Sequence, residues 1–203
     1  MEKEILKLFL TENKLKFSEI EKSLKIRSNK LDYHLKKLIH KNILEKEKEF
    51  YKLTKTSEYL IPYVSEKNPV LSVILIIIGN KQKIFLCKRI KRPYKNKLSL
   101  PGGRILLGET IPSSIKRIMK EKHNISAKFK KINSISLEQI KKKNKIIHTF
   151  LLILTTATVK DKIPLTEIQK NKKRIIPSDY QLITEDFNKK INVQTIYSKT
   201  SSE

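Results

Sequence analysis

Residues 100–125 read LPGGRILLGETIPSSIKRIMKEKHNI, and the fold of the longer part of the chain follows from them. Pro101-Gly102-Gly103 marks a tight turn, because glycine carries no Cβ and lets the backbone bend sharply or approach another strand. Beyond it, Ile115, Ile118 and Met119 fall on one face of a helix over Ile111 to His123. Val70 to Ile78 and Ile84 to Ile90 upstream, and Ile146 to Thr156 downstream, are rich in β-branched and aliphatic residues and read as strands. Strand, glycine turn, loop, helix and strand make an α/β arrangement. Ile175 to Phe187 reads as a last helix entered through Pro177 and Ser178. Ser198 to Glu203 has little reason to be ordered.

The chain has 203 residues and a formal net charge of +25, from 45 Lys and Arg against 20 Asp and Glu. Residues 1–67 hold 16 basic and 11 acidic side chains, which leaves +20 for residues 68–203. Such an excess points to polyanionic partners. The single cysteine, Cys87, excludes an internal disulfide and gives no sign of an oxidising compartment, so a cytoplasmic location is expected. The apolar run around Val73 to Ile78 is far shorter than the ~20 residues that span a bilayer, and no membrane partner is expected.

Residues 1–67 have a different pattern. Ile5, Leu8 and Phe9 share one face of a first helix. Ser18 with Glu21 has the capping-box spacing for a second, with Ile20 and Leu24 inward. Ser28 can cap a third helix, in which Leu31, Leu35 and Leu38 form the buried stripe. Its outer face shows Asn29, Lys30, Tyr33, Lys36, Lys37 and His40, a set suited to phosphates and base edges of a major groove. A hairpin of Ile43 to Lys46 and Phe50 to Leu53 follows, and Tyr59, Leu60 and Tyr63 resume helical spacing. The stretch from Lys16 to Thr54 resembles a winged helix-turn-helix. The resemblance implies double-stranded DNA as partner, with Ser28, Asn29, Lys30, Tyr33, Lys36 and Lys37 as contacts, and a homodimer, because operators are commonly palindromic. A basic helix face that is only solvated is the alternative.

The opening stretch itself resembles the Nudix box, G-x5-E-x7-R-E-U-x-E-E-x-G-U with U aliphatic. Gly103, Glu109 and Arg117 take the architectural positions, Met119 and Ile125 the aliphatic ones, and Glu121 one metal-binding glutamate. Ile118 stands in place of the first metal-binding glutamate, Lys122 in place of the last, and Asn124 in place of glycine. The expected whole is therefore α+β: a winged-helix domain over residues 1–67, a Nudix-type α/β/α sandwich with a mixed sheet over 68–197, and a short tail.

The family hydrolyses nucleoside diphosphate derivatives with Mg²⁺ or Mn²⁺, and three carboxylates within one helical turn suit such a hard cation. One carboxylate here leaves Glu121 as the only catalytic or metal candidate of the box. The resemblance thus implies a domain that binds a nucleotide-type ligand through Arg104, Glu121, Lys122 and His148 without turning it over, beside a DNA reader: a transcriptional regulator. Two alternatives stand. Lys122 can be a surface lysine, or Glu138, Glu167 or Glu185 can bring carboxylates from outside the box to an active hydrolase. His148 can equally be a hydrogen-bonded core residue, Cys87 a packing residue, and the runs Lys141 to Lys145 and Lys170 to Arg174 solvated loops or contacts to a DNA backbone.

Overall fold

The computed structural model describes residues 1–58, 70–142 and 144–198. Chain contacts divide it into two units, Met1–Pro69 and Val70–Glu203. In the first, helices α1 (Glu2–Leu8), α2 (Phe17–Leu24) and α3 (Ser28–His40) precede a hairpin of β2 (Leu44–Glu47) and β3 (Phe50–Leu53), with β1 (Leu15–Lys16) added on the other side of β3. Helix α4 (Lys55–Glu58) follows, and Tyr59, Leu60 and Tyr63 lie outside the described residues. One core holds the unit together: Ile5 and Phe9 from α1, Ile20 from α2, Leu31, Leu35 and Leu38 from α3, and Leu44, Tyr51 and Leu53 from the hairpin.

The helix starts differ from the sequence reading. Helix α2 begins at Phe17, because Glu19 accepts the Lys16 N–H at 2.6 Å and so satisfies that end in place of Ser18 with Glu21. Glu21 instead accepts the Ser28 hydroxyl, so Ser28 ties α3 to α2.

In the second unit β4 (Leu71–Ile77), β5 (Lys83–Ile84), β6 (Cys87–Lys88), β7 (Leu98–Ser99) and β8 (Gly102–Arg104) lead to α5 (Ile111–His123). Strands β9 (Ala127–Lys142), β10 (Lys145–Val159) and β11 (Thr166–Glu167), a 3-10 turn (Lys172–Arg174) and α6 (Pro177–Asp186) complete it. The main sheet has the order β8-β4-β10-β9, with β4 parallel to β10 and the other pairs antiparallel. Alternation along β4 sends Ile74, Ile76 and Ile78 to Ile115, Ile118 and Met119 of α5, and Leu75 and Ile77 to Leu182 and Ile183 of α6. A mixed sheet between two helices is an α/β/α sandwich, and the whole chain is α+β.

One expected strand is corrected, and one strand forms where none was expected. The run Ile84 to Ile90 is not one strand. Its ends pair with different partners, β5 with β11 and β6 with β7, while Phe85 and Leu86 are buried on opposite sides of the sheet. Strand β9, 16 residues long, carries Lys and Ser at every turn of its pattern and shows no apolar run, yet it pairs with β10 over its whole length. Among the described residues no helix is long and apolar enough to cross a membrane.

Candidate functional site

The glycine turn is positioned by β4. Gly102 and Gly103 sit opposite Leu75 and Ile74, and a Cβ on Gly102 would lie 2.5 Å from the Ile74 carbonyl oxygen. Side chains are excluded there by backbone. Arg117 then reaches from α5 to the loop after the turn. Its guanidinium donates to both carboxylate oxygens of Glu109, at 2.9 Å from Nη2 to Oε2, and Nη2 also donates to the Arg104 carbonyl at 2.9 Å. Glu109 further accepts the Leu106 N–H at 2.9 Å and the Ser114 hydroxyl at 2.7 Å. Bonding to Arg117 above all holds the Glu109 carboxyl down at about 2, so it stays ionised. This ion pair fastens loop 105–109 to the helix. Asn124, where the box has glycine, keeps the left-handed helix end with φ 54°, a conformation asparagine tolerates.

The three metal positions do not form a cation site. Ile118 is fully buried and packs with Ile74, Ile76, Ile115 and Met119. Lys122 donates its ammonium to the Gly102 carbonyl, and burial, then the Arg117 charge, press its pKa downward. Glu121 is mostly exposed and faces Arg117 at 3.4 Å. Glu138 accepts from Ser178 at 2.6 Å, Glu167 pairs with Lys170 at 2.6 Å, and Glu185 accepts from Gln181 at 3.2 Å. Among the described residues no three His, Cys, Asp or Glu side chains are grouped to hold a metal. A divalent cation therefore does not fit these residues. Positive charge is present instead, since Lys122 lies within the field of Arg117, Lys91 and Arg89.

The structure brings Gly103, Glu109, Arg117, Glu121 and Lys122 together and separates Arg104 and His148 from them. Arg104 pairs with Val73, on the α6 face of the sheet, so only its carbonyl meets the helix site. His148 lies exposed in the part of β10 beyond β4, beside Phe150, and not in the core. Cys87 is half-buried, its thiol pushed up by burial and placed against Ser99.

Asp179 is the residue that sequence reading passed over. It is 4% exposed, accepts the Leu100 N–H at 2.7 Å, and burial raises its pKa to about 7. A Pro-Ser-Asp helix start signals an acid in a first turn, but nothing local signals its burial.

In the first unit the third-helix face is partly engaged. Lys37 and Lys41 both bind Glu2 of α1, at 2.7 and 2.8 Å, and Lys36 binds Asp32 at 2.7 Å. Asn29 and Lys30 are exposed and Tyr33 is 60% exposed.

A family model described as the NUDIX domain matches residues 68–179. No curated protein matches the chain. Among solved structures, a NUDIX hydrolase from Nitrosomonas europaea is 18% identical, covers 64% of this chain and 98% of its own, and superposes with a TM-score of 0.54. The NUDIX domain of Shewanella oneidensis NrtR, solved with ADP ribose, gives 16%, 65%, 96% and 0.47, and a Bacillus halodurans MutT protein gives 18%, 60%, 84% and 0.48. The match covers more than half of the chain, the turn, ion pair and helix that build the site among it, and the chain belongs to the Nudix family.

Proposed function

We propose that the protein is a DNA-binding transcriptional regulator whose Nudix domain senses a nucleoside-diphosphate-type ligand without hydrolysing it. The observation that carries this reading is the occupation of the helix site. A buried isoleucine and an ammonium bound to the Gly102 carbonyl stand where the box has carboxylates, and the charges of Arg117, Lys91 and Arg89 act on that ammonium. Such a site favours a diphosphate electrostatically and opposes a divalent cation. Residues 1–67 act as a winged helix that reads duplex DNA, as a homodimer on a palindromic operator, and ligand occupancy alters its affinity.

The test is to incubate the protein with ADP-ribose, NAD and nucleoside triphosphates, with Mg²⁺ or Mn²⁺, and to quantify products and melting temperature. The expected result is no turnover and a raised melting temperature with one compound. Turnover abolished by Glu121→Gln would establish an active hydrolase and overturn the reading.

For DNA, Lys30→Glu is the sharper probe, because Lys30 has no ion-pair partner among the described residues whereas Lys37 also holds α1 to α3 through Glu2. Losing one base-edge or phosphate contact costs about 1–3 kcal/mol. Lys30→Glu should therefore weaken operator binding roughly tenfold or more in an electrophoretic shift, with the melting temperature unchanged. Unaltered affinity removes the third helix from the interface.

A further inference from the structure

Two lysine-rich segments of the Nudix unit lie far apart in sequence. Residues 88–97 hold six basic and no acidic side chains, and residues 170–174 hold four basic and no acidic ones. The fold joins them. Lys97 Nζ donates to the Lys173 carbonyl at 2.7 Å, Leu98 bridges to Ile175, and the Ile176 N–H bonds the Leu98 carbonyl at 2.9 Å.

The first segment is an organised loop and not a floppy tail. The Arg89 N–H reaches the Lys97 carbonyl and the Asn96 N–H the Arg89 carbonyl, both at 2.8 Å, while Arg89 Nε donates to the carbonyls of Pro93 at 2.6 Å and Lys91 at 3.1 Å. Arg89 therefore spends its guanidinium on holding the loop. Lys88, Lys91, Arg92, Lys95, Lys173 and Arg174 remain exposed, and among the described residues none has an ion-pair partner. Lys37 and Lys41 of the first unit, and Lys170 and Lys189 of the second, are by contrast paired with carboxylates.

Bringing unpaired like charges together costs electrostatic free energy, which a polyanion laid across them returns. We propose that loop 88–97 and turn 170–174 form one surface that binds the phosphodiester backbone of a nucleic acid. The surface spans two loops and presents lysine and arginine without a projecting helix, so it neutralises phosphates and does not read bases. It stands independently of the winged-helix reading.

The experiment measures binding of the full chain to a random-sequence DNA duplex and to an RNA duplex by fluorescence anisotropy across 50–200 mM salt. The test variant is Lys88→Ala/Lys91→Ala/Arg92→Ala/Lys173→Ala, and the comparison variant is Lys128→Ala/Lys130→Ala/Lys141→Ala/Lys145→Ala, which removes as many charges from β9 and β10. Each neutralised phosphate contributes about 0.9 to the slope of log affinity against log salt on duplex DNA. The test variant should therefore flatten that slope by about 3 and lose at least tenfold affinity at the lower salt, while the comparison variant loses much less. Loss on one duplex only identifies which nucleic acid the surface takes. An unchanged slope on both duplexes, or equal losses from the two variants, overturns the proposal. Failure of Lys30→Glu to affect DNA binding, with the loop variant still defective, would instead remove the winged-helix reading alone.

Discussion

Gly102→Ala is expected to destabilise the Nudix unit by about 2–3 kcal/mol, the upper part of the usual range of about 1–3 kcal/mol for forcing extra atoms into a packed place. The added methyl would stand 2.5 Å from the Ile74 carbonyl oxygen, which is backbone in the β4–β8 pairing and cannot rotate away. The sheet itself must open, and with it moves the Gly102 carbonyl that holds Lys122. Gly103→Ala is the informative comparison. Its Cβ would meet Ile118 Cγ1 at 3.0 Å and Ile118 Cδ1 and the Lys122 ammonium at 3.1 Å, side-chain atoms and not backbone. It should cost about 1 kcal/mol or less, below the range for overpacking against fixed atoms. Thermal melts of the two variants decide the matter, and equal shifts would show that β8 is free to move. The glycine that names the box is then the more replaceable of the pair.

Asp179→Asn should remove a pH dependence of stability. The pKa of Asp179 in the fold is raised to about 7 from its ordinary 3.8. Below pH 4 the group is protonated in both states and contributes nothing. As pH rises from 4 to 7 the unfolded chain ionises first, so this group lowers stability progressively, and above pH 7 its penalty levels off. The difference between the two states corresponds to about 4 kcal/mol. Asparagine keeps an oxygen acceptor for the Leu100 N–H and cannot ionise. The groups acting on Asp179 are Glu138, which raises its pKa further, and the Leu100 N–H and Arg89, which lower it. His123, whose pKa is lowered by burial, works with the opposite sign near the same window, since its folded form releases its proton first. Denaturant unfolding of both proteins from pH 4 to 8 isolates the Asp179 part as their difference. The wild type should lose stability relative to the variant across that range, and parallel curves would mean that Asp179 ionises in the fold as readily as in the unfolded chain. Glu109 sets the other limit: with its pKa depressed to about 2, the stability it confers is present above the ordinary carboxylate range and disappears as pH falls through the folded value.

Much of the scaffold was legible because it is written in local periodicity. The 3.6-residue spacing of Ile115, Ile118 and Met119, the Pro-Gly-Gly turn and the apolar run of β4 each depend only on neighbours in sequence. The three helices and hairpin of the first unit are legible for the same reason, within a residue or two at their ends. Even the depletion of carboxylates on α5 is a sequence fact. Strand β9 was not legible, because its alternation of Lys and Ser with apolar residues becomes a strand only by pairing with β10.

The sequence by itself thus determined the element order, the register of the box and which metal-binding carboxylates are missing from it. Tertiary structure alone decided where the charges went: Lys122 onto the Gly102 carbonyl, Lys37 onto Glu2, Asp179 into the interior, and two basic loops against each other. The physical reason is that backbone conformation answers to a few adjacent side chains. The partner of a long charged side chain, and the water it loses, depend instead on contacts tens of residues away that no local pattern encodes.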